Sequence, residues 1–113
     1  MRDDRERLFD IIEAIDRIQR QAQRGRPIFE TDELVQTWMV HHLEILGEVT
    51  RAISARLRLR YPKVPWREMV AMRNVLAHDY FGIDIEQVWA TVQGDVPALK
   101  SQIEAILHDL DAM

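Results

Sequence analysis

From residue 32 to residue 60 the chain runs without proline and with a single glycine, and apolar residues recur along it at helical spacing on two overlapping stripes. One stripe is Val35, Met39, Leu43, Leu46, Ile53 and Leu57; the other is Leu34, Trp38, Ile45, Val49 and Ala52. A helix apolar over so wide an arc does not lie on a surface with one dry face. It is the central helix of a bundle, or it faces both its own core and another subunit.

The neighbouring segments carry the same period. Leu8, Ile11, Ile12, Ile15 and Ile18 predict an amphipathic helix over about residues 4 to 24, stopped by Gly25 and Pro27, with Thr31 or Asp32 as N-cap for the long helix. Tyr61-Pro62 ends that long helix, because the residue before a proline is pushed out of the α region, and Pro65 is placed to open a third helix reaching about residue 80. Trp66, Met69, Val70, Met72, Val75 and Leu76 form its apolar face, and Gly82 is its terminator. Asp84 and Gln87 form a capping-box variant that opens a fourth helix. Gly94 and Pro97 interrupt it, Asp95 can cap a fresh start, and Leu99, Ile103, Ile106, Leu107 and Leu110 make a last helix, separate from the fourth or joined to it through a kink.

No strand-like alternation, glycine-rich phosphate loop, internal repeat or low-complexity tract interrupts this reading. The expected fold is therefore all-α: a four- to five-helix up-and-down bundle, dimeric, with residues 1–113 as one domain. The chain has no cysteine, which removes disulfides, thiolate nucleophiles and cysteine-type zinc sites. Its opening residues lack the apolar core of a signal peptide and no apolar run is long enough to span a bilayer, so a soluble, unexported, cytoplasmic protein is expected.

The net charge of −4 hides an uneven distribution. Between Arg51 and Arg73, seven cations (Arg51, Arg56, Arg58, Arg60, Lys63, Arg67, Arg73) face one acid, Glu68, for a local +6 against −10 elsewhere. Such a stretch either neutralises a few phosphates at one site or is a solvated, arginine-rich helix end.

Within the third helix, Arg73-Asn74-Val75-Leu76-Ala77-His78-Asp79-Tyr80 packs an arginine, an amide, an imidazole, a carboxylate and a phenol into one short stretch. A guanidinium fits a phosphate bidentately and an imidazole titrates near neutral pH, which suits phosphodiester chemistry in which a proton moves while charge builds on phosphorus. On an ideal helix Arg73 and His78 lie about 140° apart, whereas Arg73 and Tyr80 lie within about 20°. Either the helix ends or distorts near His78, or a second copy of the chain completes the cleft. The alternative is a capping or core histidine beside a surface ion-pair former.

His41 and His42 are adjacent and so point about 100° apart, a poor metal pair. No metal or cofactor is expected. Trp38, Trp66 and Trp89 are spaced as core anchors rather than base-stacking platforms.

The Arg-x-x-x-x-His-x-Tyr pattern at Arg73 to Tyr80 resembles the signature of the HepT-like branch of the HEPN superfamily. The flanks are similar too: Tyr61-Pro62-Lys63-Val64-Pro65-Trp66-Arg67-Glu68, Phe81-Gly82-Ile83-Asp84, Leu46-Gly47-Glu48 and Asp95-Val96-Pro97-Ala98-Leu99-Lys100. The resemblance spans nearly the whole chain. It implies a dimeric all-α endoribonuclease that needs no metal, the toxin of a type VII-like toxin–antitoxin pair. Arg73 and His78 are then the catalytic residues and Asn74 a supporting group. Tyr80 corresponds to the tyrosine that a partner MntA-like nucleotidyltransferase antitoxin modifies with AMP. A second expectation of another class is a catalytically silent helical module that docks such a nucleotidyltransferase.

Overall fold

The computed structural model describes residues 2–77 and 84–112, with side chains except those of residues 72–77. Among the described residues every regular element is helical and none is a strand.

Helix α1 (Asp4–Ala22) starts where the Asp3 carboxylate accepts the Glu6 N–H at 2.8 Å, and it buries Leu8, Ile11, Ala14, Ile15 and Ile18. Gly25 then turns the chain at φ +98°, a conformation that side chains with a Cβ rarely adopt. A short helix, α2 (Arg26–Thr31), occupies the stretch where the residues suggested only a break. Pro27 sits in its first turn, where the missing N–H has no intrahelical partner to lose, so the residue read as a stop also serves as a start. Phe29 of α2 is buried against Trp89, ring centroids 5.1 Å apart.

Helix α3 (Glu33–Arg51) is N-capped by Asp32, whose side chain accepts from Leu34 N at 2.9 Å and Val35 N at 3.4 Å. It packs against α1, α2 and the later helices α5 and α6, so the long helix is central as its apolar arc demands. The stripe from Val35 to Leu57 is buried throughout. The other stripe is not: Leu34 is 81% exposed, Trp38, Ile45 and Val49 are half-buried, and Ala52 is exposed.

The expected run to residue 60 breaks at 52–54, and a separate helix α4 (Ala55–Arg60) comes after the break. No proline or glycine causes it. Ser54 turns extended and caps α4, accepting the Leu57 N–H at 3.2 Å, while the Asp4 carboxylate holds both the Ser54 N–H (3.0 Å) and its hydroxyl. The last carbonyls of α3 are taken by arginines: Arg58 Nη2 donates to Thr50 O (2.9 Å) and Arg51 O (2.8 Å), and Arg7 Nη1 to Ala52 O (3.0 Å).

Helix α5 (Trp66–Ala77) begins one residue after Pro65, whose carbonyl accepts the Met69 N–H at 3.0 Å; the expected extension to residue 80 lies outside the described residues, as does Gly82. Helix α6 (Ile85–Ala90) is N-capped by Asp84, which accepts from Gln87 N at 3.1 Å. The backbone then continues through a π-helical turn (Thr91–Asp95) into α7 (Val96–Asp111). This is the kinked continuation rather than a fresh start. Asp95 keeps α-helical dihedrals and makes no cap bond. Pro97 cannot donate and its ring crowds the preceding turn, so widening that turn lets the helix pass without breaking.

Helix α1 runs antiparallel to its neighbours: Asp4 meets Ser54 beyond the end of α3, and Arg5 meets Asp111 at the end of α7. The core is the shared interior of α1, α3, α5 and α7, lined by residues such as Ile11, Leu43, Met69 and Ile103. Among the described residues no helix is long and apolar enough to cross a membrane.

Candidate functional site

Arg73 and Asn74 lie on α5, whose backbone is helical through Ala77, as the sequence predicts. Their side chains, and the whole of His78 and Tyr80, lie outside the described residues. The structure therefore fixes the helix that brings the motif in and the next helix after it.

Helix α5 is held at its start. Trp66 is 6% exposed with its indole Nε1 donating to Tyr61 O at 2.9 Å, and Met69 is buried one turn on. By helical register Arg73 stands four residues beyond Met69 and seven beyond Trp66, on the same stripe of α5 to within about 40°. After the motif, α6 is fixed by its Asp84 cap, by Trp89 on Phe29, and by Arg26 of α2, which bonds Glu30 (2.6 Å) and Glu86.

A second stripe of α5 borders open space. Arg67, Glu68, Val70 and Ala71 line an open groove of about 690 Å³ together with Arg58, Lys63 and Pro65. Asn74 is seven residues beyond Arg67 and so continues this stripe. The groove thus runs along the motif-bearing helix.

Of its cations, Lys63 and Arg67 are exposed and unpaired among the described residues, a state shared with some cations outside it. Arg2, Arg5, Arg17 and Lys100 are each paired with a carboxylate, at 2.7 to 2.9 Å. Arg51, Arg56, Lys63 and Arg67 are exposed and have no carboxylate partner among the described residues. Counting charges did not distinguish Arg58, which belongs to the basic stretch but is committed to the end of α3.

The two adjacent histidines differ in environment. His41 is exposed, whereas His42 is 3% exposed beside Trp38 (ring centroids 4.3 Å) with no protein partner for either ring nitrogen. Burial, then the neighbouring His41 and Arg17, pushes the His42 pKa below its ordinary value. Trp66 and Trp89 pack in or against the core as expected, whereas half-buried Trp38 lies outside it, donating to Arg17 O at 3.1 Å and resting on His42.

An all-helical bundle of this kind is consistent with a HEPN-like fold. The chain belongs to the HepT-like family: the model described as Ribonuclease HepT-like matches residues 11–106. It is 39% identical over 100 residues to the "Putative RNase MJ1380" of Methanocaldococcus jannaschii, covering 88% of this chain and 92% of that one. It is also 39% identical over 103 residues to the "Probable ribonuclease HepT" of Thermococcus cleftensis, covering 88% and 91%. No solved structure matches.

Proposed function

We propose that residues 1–113 act as one unit, a metal-independent endoribonuclease in which Arg73 binds the scissile phosphate and His78 moves the proton. The observation that carries this reading is membership of a ribonuclease family over residues 11–106, a span that includes the whole Arg73 to Tyr80 motif. The imidazole of His78 takes the proton from a ribose 2′-hydroxyl as that oxygen attacks phosphorus. The bond from phosphorus to the 5′-oxygen breaks, and a proton returns to the leaving oxygen. Arg73 offsets the charge that builds on the phosphoryl oxygens, with Asn74 as a supporting donor. The products are a 2′,3′-cyclic phosphate and a 5′-hydroxyl.

The same reading makes the chain a toxin whose antitoxin is an MntA-like nucleotidyltransferase. Attack of the Tyr80 phenol on the α-phosphate of ATP, with release of pyrophosphate, would leave an AMP anion at a phosphate-binding cleft and exclude RNA by volume and charge. A homodimer supplies two motifs to one cleft. It is favoured by the outer stripe of α3, where Leu34 is 81% exposed and Trp38, Ile45 and Val49 are only half-buried. Analysis of the cleavage ends tests the chemistry: cyclic phosphate and 5′-hydroxyl are expected, and 5′-phosphate ends would mean that water, not the 2′-hydroxyl, is the nucleophile.

A further inference from the structure

The groove beside α5 holds more positive charge than the motif chemistry uses. We infer that it is a sequence-blind track for the RNA backbone, binding phosphates next to the scissile one through Lys63 and Arg67; this rests on the ribonuclease reading. Both side chains are exposed and without a carboxylate partner among the described residues, whereas Arg2, Arg5, Arg17 and Arg26 are each paired with Asp or Glu. An unpaired, hydrated cation gains from meeting a phosphate, because condensed counterions are released, whereas a cation already in an ion pair must first give that pair up.

Three features fit a nucleic-acid backbone. Arg58 places a fixed guanidinium at the groove wall, held by the carbonyls of Thr50 and Arg51. Among the described residues the one aromatic side chain of the lining is Trp66, buried and bonded through Nε1 to Tyr61 O, so no base can stack on it and that side chain carries no sequence information. Arg67 lies six residues before Arg73, about 9 Å along the axis of α5 and about 120° around it, so a strand with its scissile phosphate at Arg73 reaches the groove by passing around the helix.

The sign of Glu68 gives a second handle. It is the one acid lining the groove among the described residues, and it is exposed. A carboxylate there opposes an approaching phosphate, so removing it strengthens binding if the occupant is RNA.

Binding of a fluorescein-labelled, single-stranded RNA tests this by anisotropy, with every 2′-hydroxyl methylated so that it cannot be cut. The salt series runs from about 50 to about 200 mM. Lys63→Gln with Arg67→Gln is expected to weaken binding by about tenfold and to flatten the slope of log affinity against log salt by about 1.4, the share of two phosphates on a single strand. Glu68→Gln is expected to tighten binding a few-fold. Arg20→Gln with Arg24→Gln removes the same charge from the end of α1 and is expected to change neither quantity. Melting temperatures are compared throughout, so that loss of fold is not read as loss of contact.

Parent-like affinity and slope in the groove double variant would overturn the inference, as would an equal loss in the α1 control. If the groove variants bind RNA like the parent but lose affinity for polyglutamate, the groove docks an acidic protein instead. Because the probe cannot be cut, groove-dependent binding by a protein that leaves ordinary RNA intact would refute the nuclease reading while leaving the track standing.

Discussion

His42 sits beside Trp38 with both ring nitrogens unpartnered in the protein, an arrangement that favours the neutral ring. Its folded-state pKa lies below the ordinary 6.5, chiefly through burial. At pH well above 6.5 neither the folded nor the unfolded chain binds this proton, and stability is complete. As pH falls below that value the unfolded chain takes up a proton that the folded chain refuses, and stability declines until the lowered pKa is reached. The slope is at most about 1.4 kcal/mol per pH unit. Urea titrations across this range should show the decline in the parent and a flatter profile in His42→Leu, which loses no protein hydrogen bond; an unchanged profile would place the titration elsewhere. Helical period separates the two histidines: His42 stands seven residues after Val35, three after Met39 and four before Leu46, on the buried stripe, whereas His41 shares the stripe of Leu34, Trp38 and Ile45. No such signal separates Arg58 from Arg56, equal in any charge count, of which only Arg58 holds the end of α3.

Helix boundaries were legible where their cause was local. Asp32 and Asp84 each accept an N–H two or three residues ahead, and such caps can be read from a short window. The break after Arg51 was not legible, because it depends on Asp4 and Ser54, fifty residues apart, meeting across the bundle. The continuous apolar stripe through Ile53 and Leu57 hid it, since Ile53 within the break and Leu57 beyond it are both buried. Ser54→Ala is expected to cost about 1 kcal/mol through the lost cap of α4. Asp4→Ala should cost a similar amount, and the double variant less than the two together, with about 0.5 kcal/mol or more of coupling in a double-mutant cycle by chemical denaturation. Strict additivity would mean that the contact does not hold the break in place.

At the scale of the whole molecule, the amphipathic stripes predicted an all-helical bundle with α3 at its centre, and the packing agrees. The motif was legible as chemistry because its residue types are specific, and its family was legible from the flanks as well. The groove was legible only in part. A run of cations is plain in the residues, but which of them are unpaired and which hold a helix end depend on how α4 folds back on the end of α3. The central claim joins that geometry to a reaction, and cleavage of a labelled RNA in excess chelator tests it most directly, comparing unmodified protein with Arg73→Ala and His78→Ala. The account predicts cutting by the parent and a loss of about 10²-fold or more in each variant, in the range for removing a general acid–base group. An intact RNA with the parent, cutting that returns only when a divalent ion is restored, or parent-like cutting by either variant would contradict it.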